Sequence, residues 1–270
     1  MTAAGELQHL VLSEHWLNGP FMDLSMVLIA VGAFLLGGAV KGIVGLGLPT
    51  VVLALLGTAL GLREALLLLV APAFLTNVWQ AATGGFLAGL LKRLWPMLLA
   101  TVPGIFLGTT VLFRADQGTL DILLGAALCA YAVLGLAGAS FAAPGGRERV
   151  LGPAIGLMTG LTAGATGTLV LPVVPYLHAL GLRRDELVQA MGLSFALSSL
   201  TIGAILTAQS AAAFEGIATS LLLVVPALAG MAMGQRLRQR IAPARFRRWL
   251  FLSLLILGTN LIRRGLAVAF

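Results

Sequence analysis

The chain is poor in charge, poorer still in acid, and almost without cysteine. Charged residues make up 10% of its 270 positions, and aspartate and glutamate together number 10. An ordinary soluble domain carries about a quarter charged residues, because its surface must be hydrated. So small a supply over this length excludes a soluble globular fold and leaves lipid facing most of the outer surface. The single cysteine, Cys129, lies inside an apolar run, which excludes an intrachain disulfide framework and a cysteine-based metal site. Glu64, Asp116, Asp121, Asp185, Glu186 and Glu215 all stand at the ends of apolar runs. With no carboxylate deep in a run, a carboxylate proton relay is unsupported. HExxH, GxSxG, P-loop and paired-acid signatures are also missing. No cofactor or metal is expected, and enzymatic chemistry has little to work with.

Hydrophobic residues fill 59% of the chain, and the mean hydropathy is +1.01. The net charge of +7 does not form a patch for nucleic acid: the basic residues sit in short clusters between apolar runs. About 20 helical residues span a bilayer core of ~30 Å, and fewer suffice where a helix is broken. Runs of that kind fall at 22–40, 48–60, 64–83, 95–113 and 120–141, then at 151–163, 169–180, 187–208, 214–234 and 249–262. The expectation is an all-α polytopic membrane protein of about ten helical segments. Residues 1–21 lack a basic n-region and carry Glu6, His9, Glu14 and His15. They read as a short exterior segment, with Trp16 at the interface, rather than as a cleavable signal.

With the N-terminus outside, one set of loops holds Lys41, Lys92, Arg93, Arg147, Arg149, Arg183, Arg184, Arg236, Arg238, Arg240, Arg245, Arg247 and Arg248. The other set holds Arg63, Arg114, Arg263 and Arg264. The positive-inside rule then puts both termini outside a cell inner membrane. The stretch from Arg236 to Arg248, beside Trp249, is expected to meet anionic lipid headgroups rather than nucleic acid.

The chain repeats itself. Gly38-Ala39-Val40-Lys41-Gly42-Ile43-Val44-Gly45 and Gly160-Leu161-Thr162-Ala163-Gly164-Ala165-Thr166-Gly167 are both GxxxGxxG, offset by 122 positions. In the same order follow Pro49 and Pro172, Gly61-Leu62-Arg63 and Gly181-Leu182-Arg183, and Thr76-Asn77 and Ser198-Ser199. Late in each half, Gly104-xxx-Gly108 answers Gly230-xxx-Gly234, with Arg114 and Arg240 six residues on. Five segments per half is an odd number, so the second copy enters the membrane upside down. The first repeat is read as 22–141, a cytoplasmic linker as 142–150 and the second repeat as 151–270, each repeat with a glycine-rich break between its first two segments.

Those breaks, 42–48 and 164–168, precede Pro49 and Pro172 and read as interruptions followed by new helix starts. Short, Gly/Pro-interrupted segments at matching places in two halves point to a transporter's binding site. A helix start presents unpaired N–H groups and about half a positive charge, which suits an oxyanion. Gly42, Gly45, Gly47, Gly164 and Gly167 would let backbone approach it, with Thr166 and Thr168 adding hydroxyls. The competing reading is that these glycines only permit close helix packing. Lys41 either faces the anion or snorkels to headgroups. Thr76, Asn77 and Gln80 on one helix face, and Ser194, Ser198 and Ser199 on another, either line a substrate path or bond neighbouring helices. His178 reads as a packing residue.

Lys41-Gly42-Ile43-Val44-Gly45-Leu46-Gly47-Leu48-Pro49, followed by Pro72-Ala73-Phe74-Leu75-Thr76-Asn77-Val78-Trp79-Gln80, resembles the sulfite exporter TauE/SafE family. Both halves show that family's glycine-rich stretch. The resemblance implies transport of a small sulfur-containing anion such as sulfite or a sulfonate. Its first motif falls on Gly42, Gly45, Gly47 and Pro49, and its polar motif on Thr76, Asn77 and Gln80. The second half departs, with Thr166-Gly167-Thr168 less dense in glycine and no amide opposite Asn77. The expected mechanism is alternating access by one repeat rocking against the other. A passive anion channel and a scaffolding protein without a substrate path are the alternatives, and oligomeric state is not legible.

Overall fold

Hydrocarbon offers no water to peptide groups, so a spanning chain must pair its backbone internally, and helices do so within one segment. The computed structural model describes residues 24–138, 142–209, 211–237 and 243–269. In the first half, α1 covers Leu24–Val44, α2 Leu48–Leu60, α3 Leu62–Ala82, α4 Leu87–Arg114 and α5 Gln117–Leu136. In the second, α6 covers Glu148–Thr166, α7 Val173–Ala179, α8 Arg184–Gln209, α9 Ala211–Ser220, α10 Val224–Leu237 and α11 Pro243–Ala269. No strand occurs among the described residues. Seven helical stretches are long and apolar enough to cross a bilayer, and the chain is a multi-pass membrane protein. The exterior segment 1–21, Arg238, Arg240 and the Arg245 side chain lie outside the described residues.

Two of the ten expected segments take a different form. The run 169–180 is helical only over α7, and the run 214–234 divides into α9 and α10 around a 3-10 turn at Leu221–Leu223. Pro226 explains the second division: it lacks the N–H that would bond four residues back, and its ring clashes with that carbonyl. Asp121 lies near the start of its segment as expected, but it is buried. It is the fifth residue of α5 and is 3% exposed, with its carboxylate accepting from Gln117 Nε2 at 2.7 Å and lying 4.0 Å from Arg264. At the start of the same helix, the backbone N–H and hydroxyl of Thr119 bond the Asp116 carboxylate and hold it below the usual carboxylate range.

Glycines set the helix pairing. A Cβ on Gly38 or Gly42 would lie 2.2 Å from the carbonyl oxygens of Ala227 and Met231, so α1 lies backbone-to-backbone on α10. Gly230 and Gly234 return the contact against Leu35 and Ala39. The same seam forms between α4 and α6, where Gly104 and Gly108 meet Leu157 and Leu161, and Gly156, Gly160 and Gly164 meet Met97, Thr101 and Ile105. A third joins α5 to α11 through Gly118, Gly125, Gly258 and Gly265. Small residues allow this approach, and in lipid it is dispersion across the seam that holds helices together.

The remaining pair, α3 and α8, cross antiparallel at the centre, with Gly192 against Gln80 and Gly203 against Val70. Two thirds of the apolar stretch of each is buried (67%), against 28–50% for the other five spans. Leu99, Phe106, Leu222, Val225 and Ile256 stand outward from the bundle, as a lipid-facing surface requires. α3 and α8 are therefore the most enclosed of the spans.

Candidate functional site

α1 stops at Val44 because Gly45 and Gly47 take φ of 93° and 115°, a region that side chains with a Cβ rarely enter. Gly45 N–H closes the helix on Lys41 O at 2.7 Å. α2 then starts at Leu48 with Pro49, itself buried, in its first turn, where a missing N–H costs nothing. Gln80 on α3 holds this break in place: its Nε2 donates to Gly45 O at 3.1 Å and to Val188 O on α8 at 2.7 Å.

Lys41 stands one helical turn before the break and is 4% exposed. Its ammonium does not reach for headgroups. It turns onto α3, donating to Thr76 Oγ1 at 3.1 Å and to Asn77 Oδ1. The Thr76 hydroxyl in turn donates to Pro72 O at 2.7 Å, which leaves its oxygen lone pair for the lysine. Both partners of the ammonium are neutral. Among the described residues the ion pairs are Arg93–Glu148 and Arg264–Asp121, and neither involves Lys41. Asn77 is fully buried, and its Nδ2 has no acceptor. Thr50, three residues past Gly47, is buried with an unpartnered hydroxyl.

These deficits are costly. An ammonium removed from water without a counter-charge is penalised by several kcal/mol, and an orphaned buried amide by about 1–3 kcal/mol. A group that supplied one negative charge and several acceptor oxygens would relieve both.

The second break is built differently. Gly167, at φ 69°, ends α6 by donating its N–H to Ala163 O at 2.7 Å. No helix starts there. Residues 167–170 have no helical structure, and α7 begins at Val173, because Pro172 stands five residues past the glycine where Pro49 stands two past Gly47. The Thr166 and Thr168 hydroxyls lie 2.5 Å apart, and Thr166 also donates to Thr162 O at 2.7 Å. They satisfy one another. The space beside Gly167 is taken by Leu66 and Leu53, 2.3 and 2.9 Å from where a Cβ would stand. A small apolar cavity adjoins it, lined in part by Leu69, Leu169, Ser199 and Ile202.

Lys41, Thr76 and Asn77 thus come together, and Gln80 joins them through Gly45. Gly42 and Gly164 do not belong to the breaks as expected: both are helical, and facing backbone occupies their Cβ positions. Ser199 on α8 lines the cavity beside the second break, and the Ser198 hydroxyl donates to Ser194 O of its own helix at 2.9 Å. Val70, beside the cavity, and Asn77 are seven residues apart on α3, about 10 Å along the axis.

Gln189 was missed in the sequence. It is 1% exposed, donates through Nε2 to Ala81 O at 2.7 Å and accepts from Phe86 N–H at 2.8 Å. With Gln80 it forms a reciprocal clasp between α3 and α8, each glutamine reaching the other helix's backbone. An amide within the run 187–208 was the available signal.

A model of the family described as Sulfite exporter TauE/SafE matches residues 29–261. No curated protein and no solved structure matches the chain.

Proposed function

Since the chain belongs to the sulfite exporter TauE/SafE family, a family of transporters, we propose that it carries a small sulfur-containing anion with Lys41 as the anion's partner. The observation that carries this reading is a buried ammonium with no carboxylate beside it and an unmatched Asn77 amide next to it. In hydrocarbon such a pair is costly when empty and well matched to an oxyanion. The start of α2 adds backbone N–H groups and a partial positive charge.

Enclosure of Lys41 favours a carrier over a channel, since a pore would leave the ammonium in water. Two inverted five-segment repeats are supported by the pairing: first segment on fourth, fourth on first, third on third and fifth on fifth. Both tight end pairs, α1 with α10 and α4 with α6, join opposite halves. Alternating access would then move such mixed pairs about the α3–α8 crossing, rather than one half against the other. Exposed Arg247 and Arg248, beside Trp249, are suited to anionic headgroups on the cytoplasmic side of an inner membrane.

The test is flux of radiolabelled sulfite in proteoliposomes. Lys41→Met should lose at least about tenfold, the equivalent of one charge-assisted contact of ~1.5 kcal/mol or more, with purification and insertion unchanged. Wild-type flux through Lys41→Met would remove the site.

A further inference from the structure

We infer that the site selects singly charged anions, such as hydrogen sulfite or an organic sulfonate, and rejects dianions of the same shape. This rests on Lys41 being the anion's partner, as proposed above. Charge balance carries the step. Among the described residues, Lys41 and Asp121 are the buried charged side chains. Asp121 is committed elsewhere, to Gln117 on its own helix and to Arg264. One cation is therefore on hand in the interior.

The other basic groups near the α3–α8 ends are engaged or outside. Arg93 pairs with Glu148, and Arg63 gives its N–H groups to the carbonyls of Leu112, Phe113 and Ala115. Arg183 is exposed and lies over the Phe86 ring. What remains beside Lys41 for an anion is neutral: the Asn77 amide. Neutral donors can match an oxyanion's lone pairs, and the α2 start adds a fraction of a charge. Neither supplies a second full charge. A monoanion beside Lys41 leaves the enclosed site neutral, whereas a dianion leaves one charge uncompensated in a medium that screens it poorly.

Methanesulfonate and sulfate make a clean pair, because a methyl in one replaces a charged oxygen in the other at nearly constant shape. In wild-type proteoliposomes, methanesulfonate should inhibit labelled sulfite flux at concentrations at least about tenfold below those needed for sulfate, the ratio that a charge penalty of one decade sets. Sulfate competing within about threefold of methanesulfonate overturns the inference. If Lys41→Met is inactive in the same preparation, the site itself stands and charge selection alone fails; if that variant is fully active, the site fails first.

Discussion

Asn77 occupies an unusual position for a buried amide. Its oxygen accepts from Lys41, and its nitrogen meets no acceptor. A carboxylate in its place would give the lysine a permanent internal counter-charge. Asn77→Asp is therefore predicted to be worse than Asn77→Ala. Alanine removes one donor and should reduce sulfite flux about tenfold, roughly one hydrogen bond to a charged ligand. Aspartate should abolish flux while preserving or raising thermal stability, because it completes an ion pair. Flux and unfolding temperature measured together on both variants decide it, and an active Asn77→Asp would exclude Lys41 from anion binding. Thr76, Asn77 and Gln80 stood out in the sequence because polar groups within a span are rare. Lys41 stood out as well, but its pairing with Thr76 and Asn77 did not, since no spacing relates residue 41 to residue 77 across two helices. Thr50 was hidden for another reason: it lies in the first turn of α2, and no sequence pattern tells whether a hydroxyl there finds a partner.

At the scale of elements, one motif does two jobs. In each GxxxGxxG the first two glycines are packing surfaces, and the third ends the helix. The sequence offered break and packing as rival readings, and the structure divides them by position. Gly160→Leu would drive a side chain into the Thr101 carbonyl, 2.1 Å from its Cβ. It is predicted to destabilise by more than the ~1–3 kcal/mol typical of overpacking, because the obstacle is backbone. Gly45→Ala meets only Val188, 3.7 Å away, and carries instead the left-handed backbone penalty of about 1–2 kcal/mol. It should fold and insert yet lose flux. Thermal unfolding in detergent, paired with sulfite uptake, separates the two; a fully stable Gly160→Leu would contradict the seam. The first break and its helix start were readable because Pro49 follows Gly47 closely. At the second the helix end was readable but the absence of a new start was not, since Pro172 stands five residues past Gly167.

For the whole molecule, the two loop sets gather at two ends. Arg63 bonds carbonyls at 112, 113 and 115, and Arg264 bonds Thr58 O and approaches Asp121, all from the arginine-poor set and its neighbours. Arg93 bonds Glu148 and Leu180 O at the other end. Single cysteines replacing Gly61 and Gly146, in a Cys129→Ala background, should label from opposite sides of the membrane, with position 146 cytoplasmic. Labelling of both from one side would refute the topology. Loop charge is the sequence feature on which this expected orientation rests, because the positive-inside rule is read from lysine and arginine counts. Which helix lies on which was not legible, since 34 glycines supply many interchangeable small faces.

The crossing of those seams between halves reaches back to biosynthesis. When residues up to 138 have left the ribosome, the glycine faces of α1, α4 and α5 are all bare, because α10, α6 and α11 have yet to be made. The nascent first half thus waits in lipid with three adhesive stripes open. α6 covers one soon after it emerges, while the other two stay open until α10 and α11, near the end of translation. A gene cut at the linker should consequently give fragments that are degraded when made singly and persist when made together.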